Sequence, residues 1–442
     1  MVKNNITKAI LNNSKDFYLP IYNKDIWKQI FYFIFIFLIY IGWRLLVKPL
    51  NRVKRLGDLG FFFGDAKYSN KVTEKMIERV KRLRIIGELP PVYPNGWFCI
   101  AESNQINKKS ILPVTFMGEQ LSLVRSESGD VFLIDSYCPH LGASFSVGGK
   151  VVNDNCVQCP FHGWIFSAET GKCTSIPYNE ASIPEQAKVS TWHVIERNNA
   201  IFVWYHAEGD APTWEIPEIY EVKDKEWSYN GRTEHEIMCH IQEVPENGAD
   251  LAHLDYLHLH GIQEGNDVTK IPMNISKPYI RHVWDGSWEA KNGDEKHISV
   301  MHLYQIMKAG NFSLPLTETK LDAIQYGPGI VHMMFDFGIL GKGIVFQYLT
   351  PEEPMFQRSR FNMYTTVPKL WAKFMMLSEA FQFERDIFIW SNKKYIKNPL
   401  YVKNDGPINK HRKWFQQFYS ENSPRLEKNG TLTCKVKSTL DW

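Results

Sequence analysis

Two stretches of this 442-residue chain carry residues whose types and spacing point to metal chemistry. The first is Cys138-Pro139-His140 and then, after 18 intervening residues, Cys159-Pro160-Phe161-His162. Each short loop offers one thiolate and one imidazole. Thiolates suit a soft iron–sulfur centre. Two imidazoles replacing two thiolates on one iron of a [2Fe–2S] cluster raise its reduction potential. Zinc is the rival for two Cys and two His, but paired zinc knuckles run C-x2–4-C and H-x3–5-H, not mixed C-x-H and C-x-x-H. Cys138, His140, Cys159 and His162 are therefore the candidate cluster ligands.

The second stretch, Glu246 to His258, contains D-x-x-H-x4-H in Asp250, His253 and His258. Two imidazoles and one carboxylate make the facial triad of non-haem Fe(II) oxygenases, which leaves coordination positions open for O2. On a helix Asp250 and His253 share a face. His258 reaches the same metal only where the helix ends, and His260-Gly261 supplies a stop. Alone, such a histidine pair reads as surface or core; the cluster motif ahead of it sharpens the reading. Glu246 and Asn247 are candidates to line this site. Asp255, His235, His240 and His260 read as local polar contacts.

The rest of the chain must position these groups. Its length suggests two or three domains. With 44% hydrophobic and 22% charged residues it is an ordinary globular composition. A net charge of +3 gives no footing for nucleic acid. Seven cysteines, an odd and low count, read as reduced thiols or metal ligands, and Cys156 and Cys173 as small buried apolar residues. A mean hydropathy of −0.31 excludes a polytopic membrane protein but leaves room for one span. Ile30 to Val47 is that span: nearly unbroken and apolar, roughly 27 Å as a helix against a hydrocarbon core of about 30 Å. Arg44 near its end and Lys48, Arg52, Lys54 and Arg55 after it outnumber Lys15, Lys24 and Lys28 before it. That excess places the large C-terminal part in the cytosol.

Residues 1–25 form a polar tail, 26–47 the transmembrane helix and 48–91 a linker with an amphipathic helix over 71–86. Short β-like runs then follow, Trp97–Ile100, Leu121–Arg125, Val131–Ile134 and Ala200–Tyr205, as in a small all-β domain over 92–210. Residues 211–430, with helical stretches near 246–260 and 368–396, form a second domain, and 431–442 a C-terminal tail.

CPHLGASFSVGG, CPFHGWIF and Ile176-Pro177-Tyr178 resemble a Rieske domain. Where Rieske proteins of respiratory complexes carry a further cysteine pair, this chain has Ala143 and Phe161, so the resemblance is to the oxygenase type. With PTWEIPEI and QEVPENGADLAHLDYLH added, residues 90 to 400 resemble the cholesterol 7-desaturase (Neverland) family of Rieske non-haem iron oxygenases. The resemblance implies an α+β fold: an N-terminal transmembrane helix, a small all-β Rieske [2Fe–2S] domain, then a helix-grip-like catalytic domain with mononuclear Fe(II). It implies that His253 and His258 are iron ligands. It makes Asp250 a bridge that hydrogen-bonds a ligand histidine and faces the neighbouring subunit's Rieske histidine. It places the third ligand at Asp386, in Gln382–Trp390, with Glu384 the rival.

The activity implied is removal of two hydrogens at C7 and C8 of a sterol, using O2. No G-x-G-x-x-G follows a strand, so NAD(P)H electrons arrive through a separate reductase. A homotrimer and an endoplasmic reticulum membrane are the expected setting. The alternatives are a steroid hydroxylase of the 3-ketosteroid 9α type and, in another class, a membrane-tethered Rieske electron carrier. The carrier leaves Asp250, His253, His258 and Asp386 unexplained.

Overall fold

The computed structural model describes residues 24–59, 70–261, 265–271, 279–427 and 430–433. The tails expected over 1–25 and 431–442 lie mostly outside these residues, as does the 60–69 part of the expected linker. The chain divides into two units, Met1–Pro49 and Leu50–Trp442.

The first unit holds helix α1, Lys24–Leu46. Apolar side chains cover all its faces and stay exposed, Phe33 at 79% and Ile36 at 64%. Ile26–Leu46 is long and apolar enough to cross a membrane.

The second unit opens with strand β1, Leu50–Lys54, and helix α2, Asn70–Leu83. The segment expected as a linker thus does more than link. β1 pairs parallel to a strand of the main sheet, Leu50 opposite Gly231 and Lys54 opposite His235. Leu56, Ile77 of α2 and Met238 bury one another beneath it.

Next come β2 (Gly96–Glu102), β3 (Ser110–Phe116), β4 (Glu119–Arg125), β5 (Val131–Asp135), β6 (Lys150–Val152), β7 (Cys156–Gln158), β8 (Ile165–Ser167), β9 (Cys173–Ser175), β10 (Thr191–Trp192), β11 (Val194–Arg197) and β12 (Ala200–Tyr205). They form three small sheets in the orders β11-β12-β2, β10-β5-β4-β3 and β6-β7-β8-β9. The β-branched and aromatic runs picked out in the sequence are the buried centres of these strands. β2 is buried along its whole length, because both its faces pack in cores shared by the all-β half and the second half of the molecule.

That second half is one nine-stranded sheet of β13 (Ser228–Ile237), β14 (Ile280–Ala290), β15 (Ile298–Ala309), β16 (Phe312–Ser313), β17 (Thr319–Tyr326), β18 (Ile330–Asp336), β19 (Lys342–Glu353) and β20 (Phe356–Thr365), with β1 at its edge. Its order is β1-β13-β20-β19-β18-β17-β15-β14, antiparallel except for β1. Helices α3 (Leu251–Leu257), α4 (Lys369–Asn392) and α5 (Gly406–Phe415) complete the unit. α4 packs on β13 and β20. Ala372, Met376, Phe383, Ile387 and Trp390 form its core stripe, and Glu384, Arg385 and Asp386 beside that stripe are buried too. A helix buried with that many charges must hold them for ion pairs or chemistry.

The two ends of the sheet face different surroundings. The all-β half packs across one face of the sheet, Trp97 and Phe202 against Phe346 and Tyr348 with Arg232 paired to Glu102 at 2.6 Å, and it is also seated at one end, where Met117 and Gly118 N–H groups donate to Pro351 and Glu352 carbonyls at 2.8 Å each. At the other lie the β15–β16 and β18–β19 turns and the start of α4.

Candidate metal centres

The two cluster-motif loops are built alike. In the first, Cys138 N–H donates to Ala143 O and Gly142 N–H returns to Cys138 O, both at 2.9 Å. In the second, Cys159 N–H donates to Trp164 O at 2.8 Å and Gly163 N–H to Cys159 O at 3.2 Å. Gly142 and Gly163 have φ of +72° and +74°, a left-handed turn that glycine adopts without penalty. Each turn folds its loop back on itself. Cys138 and Cys159 are buried at 2% and 3% exposure. Burial, and after it the adjoining Cys159 thiol, pushes the Cys138 thiol up to about 12. Two neighbouring buried thiols ionise only if a cation compensates them, which is what an iron–sulfur cluster provides.

At the loop tips the His140 and His162 rings lie 4.6 Å apart at 70°. His140 stacks on Trp164 at 4.6 Å and 7°, and Trp164 Nε1–H donates to Tyr178 Oη at 2.8 Å. The two thiols thus adjoin each other in the interior and the two imidazoles adjoin each other at the loop tips. Ala143 and Phe161 leave the loops without a bridging disulfide, and Cys156 and Cys173 are free and buried.

The second centre draws on two distant elements. Asp250 caps α3, its carboxylate accepting from His253 N–H at 3.2 Å. It therefore stands just before the helix, which is shorter than the 246–260 stretch expected. His253 Nδ1 contacts the Asp250 carbonyl oxygen and lies 3.8 Å from its carboxylate. The backbone carbonyl, rather than the carboxylate expected, orients this ring. His258 is the C-cap of α3, where the helix stops and frees its ring to turn toward His253, 5.1 Å away. α4 brings Asp386 to the pair, Oδ1 at 3.1 Å from His258 Nε2 and 3.9 Å from His253 Nε2. The candidate ligand atoms of His253, His258 and Asp386 all fall within 4.8 Å of one another, a spacing that can hold one metal ion.

Glu384 points elsewhere. It takes a two-pronged ion pair from Arg52 of β1 at 2.7 and 2.8 Å, a contact from His235 at 3.2 Å and another from Asn266. Burial opposes its ionisation, but His235 and Arg52 outweigh burial and hold the carboxyl near 2. His235 is thus a partner of Glu384, and burial lowers its own pKa. His240 contacts Pro91 O at 3.1 Å, and Asn247 Nδ2 lies 3.4 Å from His253 Nε2. Glu246 instead pairs with Arg412 at 2.7 Å.

Sequence reasoning missed Arg385. Buried completely, its guanidinium donates to the carbonyls of Gly265 (2.8 Å), His260 (2.6 Å) and Gly261 (2.6 Å), clamping the chain just beyond His258. It also missed Glu379 and Gln382. With Asp386 they follow i, i+3, i+7 spacing on one face of α4, a signal that was present. Burial, and to a lesser degree Asp386, raises the Glu379 carboxyl pKa, with His258 opposing.

The three candidate ligands open into a cavity walled by Trp284, Met301, Leu303, Phe335 and Phe361 among others. An outer space, reaching to Thr317, Phe337 and Trp371, adjoins it. Gln305, Phe335, Phe361, Glu379 and Gln382 line both. The walls are mainly apolar with a few amides, as suits a large apolar ligand with one polar group.

Residues 96–193 match the Rieske [2Fe-2S] domain family, and residues 203–419 match the 3-Ketosteroid 9alpha-hydroxylase C-terminal domain family. The chain is 58% identical over 398 residues to Cholesterol 7-desaturase of Caenorhabditis elegans, covering 90% of this chain and 93% of that one. It is 44% identical to Cholesterol 7-desaturase nvd of Xenopus laevis, covering 87% and 84%. In fold it is similar to a crystal structure of dicamba monooxygenase bound to 3,6-dichlorosalicylic acid (TM-score 0.56, 16% identity, 74% of this chain and 98% of that one). A loop-held thiol–imidazole set, a second set between two helices and this degree of identity lead to one conclusion: the chain belongs to the cholesterol 7-desaturase family of Rieske oxygenases.

Proposed function

We propose that this chain desaturates a sterol across C7–C8, converting cholesterol to 7-dehydrocholesterol. The observation that carries the reading is the 58% identity to a cholesterol 7-desaturase over nearly the whole of both chains. The cavity is consistent with it, being chiefly apolar and lined by His253, His258 and Asp386 themselves. The reaction balances as sterol + O2 + two electrons + two protons giving the 7,8-alkene and two waters. When bound, the [2Fe–2S] cluster supplies electrons one at a time, and Fe(II) supplies a centre where O2 is reduced.

The chain's own residues do the placing. Cys138, His140, Cys159 and His162 hold the cluster; His253, His258 and Asp386 hold the mononuclear iron. Asp250, 29% exposed on its side chain, fixes the start of α3 and presents a carboxylate outward, toward the Rieske histidine of a neighbouring subunit in a homotrimer. Arg385 keeps the end of α3 in place, so His258 stays aimed at Asp386. The aromatic and aliphatic walls exclude water and orient the ring system. The electrons come from a separate NAD(P)H-dependent reductase. α1 anchors the chain in a membrane, and the basic residues after it favour the cytosolic face of the endoplasmic reticulum for the rest.

The test is incubation of the full chain in vesicles with cholesterol, NADPH, O2 and a reductase. A 7,8-alkene product supports the proposal. A product carrying an added hydroxyl and no new alkene overturns it in favour of the hydroxylase reading, to which the 203–419 family match lends its weight.

A further inference from the structure

The end of the large sheet opposite Pro351 and Glu352 carries an apolar rim. Phe312, Leu316, Ile339 and Leu370 are exposed by 80%, 48%, 91% and 53%, and Tyr279 by 76%. Strand register gathers them. Tyr279 precedes Ile280, which pairs with Ala309, and Ala309 pairs with Phe312. Lys320 pairs with Asp336 and Asp336 with Lys342, which puts the start of β17 beside the turn that bears Ile339. Gly343 pairs with Thr365, which places the start of α4 at the same end. Single exposed apolar residues are ordinary, but several large ones sharing one edge mark a contact surface.

Three observations say what covers it. The rim frames the outer cavity: Thr317, Phe337 and Trp371, neighbours of Leu316, Ile339 and Leu370, line that space, which leads inward to the candidate iron ligands. Lys320, Lys342 and Lys369 are exposed between the apolar tips, with Glu318 and Asp336 as the acids among them. Apolar tips flanked by ammonium groups suit a bilayer interface, where tips enter the acyl boundary and lysines stay with lipid phosphates. Finally, Leu50 pairs with Gly231 and Gly231 with Met363, two residues from Thr365, so the chain enters this unit toward the same end of the sheet. Only Val47, Lys48 and Pro49 separate β1 from α1.

We propose that this rim is a membrane-seating surface: Phe312, Leu316, Ile339 and Leu370 dip into the leaflet and open the outer cavity to the bilayer interior. A lipophilic ligand then passes from lipid to the site without crossing water. The surface is distinct from the span, and it turns an anchored protein into one with a defined footing.

The test is photo-crosslinking of the full chain in vesicles of phosphatidylcholine and phosphatidylserine. p-Benzoylphenylalanine replaces Phe312, Ile339 or, for reference, Val147, which is 75% exposed in the all-β half. All three positions are exposed, so the replacements leave the core untouched. Phospholipid adducts at 312 and 339 severalfold above those at 147 are expected. Adduct levels no higher than at 147, or crosslinks at 312 and 339 to a second copy of the chain or to another protein, overturn the proposal. Adduct formation does not depend on turnover, so its outcome is separate from that of the desaturase reading.

Discussion

The two metal centres are assembled from very different lengths of chain. The four candidate cluster ligands sit in two neighbouring loops of one small sheet system, each loop closed by its own glycine turn and backbone hydrogen bonds. The mononuclear centre joins α3 to α4, with His258 and Asp386 separated by 128 residues. The first is local and survives as a pattern of letters. The second exists only once a nine-stranded sheet has brought two helices together. A local site fails when one ligand is lost. A non-local site also fails when its scaffold shifts, so the buried ion pairs around α4 matter as much as the ligands.

The comparison can be broken most sharply by removing one ligand from each centre. Cys159→Ser should lose the cluster's visible absorption and about two of the three irons per chain, with turnover falling by about a thousandfold. Asp386→Ala should do the reverse, keeping the cluster spectrum and losing about one iron, with a loss of turnover of about a hundredfold or more. Retention of full mononuclear iron and turnover in Asp386→Ala would remove it from the ligand set.

The role of the scaffold is sharpened by Glu384→Ala. It leaves Arg52 and His235 without their shared carboxylate, and should cost about 3 kcal/mol in denaturant unfolding. The mononuclear iron should remain when the protein is folded. Loss of iron in the folded protein would instead show that the Glu384 ion pairs hold α4 in the position that aims Asp386 at the histidines.

A milder probe is pH. Burial lowers His332 and His411 to about 3, below the 6.5 of the unfolded chain. Between those values the unfolded state binds protons that the native state does not. Stability therefore falls as pH drops below 6.5, by about 1.4 kcal/mol per pH unit for each histidine, until their native pKa is reached. Unfolding midpoints between pH 7 and 5 check the slope, and replacing His411 with Phe should flatten it.

The smallest change in structure is Asp250→Asn, which keeps a capping side chain on α3 and removes only its charge. Stability should hold to within about 0.5 kcal/mol and iron content should be unchanged, while turnover drops by about tenfold. Equal turnover would reduce Asp250 to a helix cap.

The residue types at 138, 140, 159 and 162 were enough to specify an iron–sulfur chemistry, because ligand sets in tight loops are encoded by spacing alone. The apolar run Ile30–Val47 was enough to specify a helix of membrane-crossing length, because composition on every face is a property of the segment itself. His253 and His258 were visible as a pair, but not how they converge. That depended on Asp250 capping the helix and on His258 ending it.

Asp386 and Glu384, two residues apart on α4, carry the same kind of group. No local rule separates them, since the choice lies in what faces each side of the helix: β1 and β13 supply Arg52 and His235 to Glu384, and α3 supplies two imidazoles to Asp386. The edge strand hidden in the expected linker and the clamp from Arg385 have the same origin. Pairing partners and buried carbonyls are long-range facts, and only the folded chain decides them.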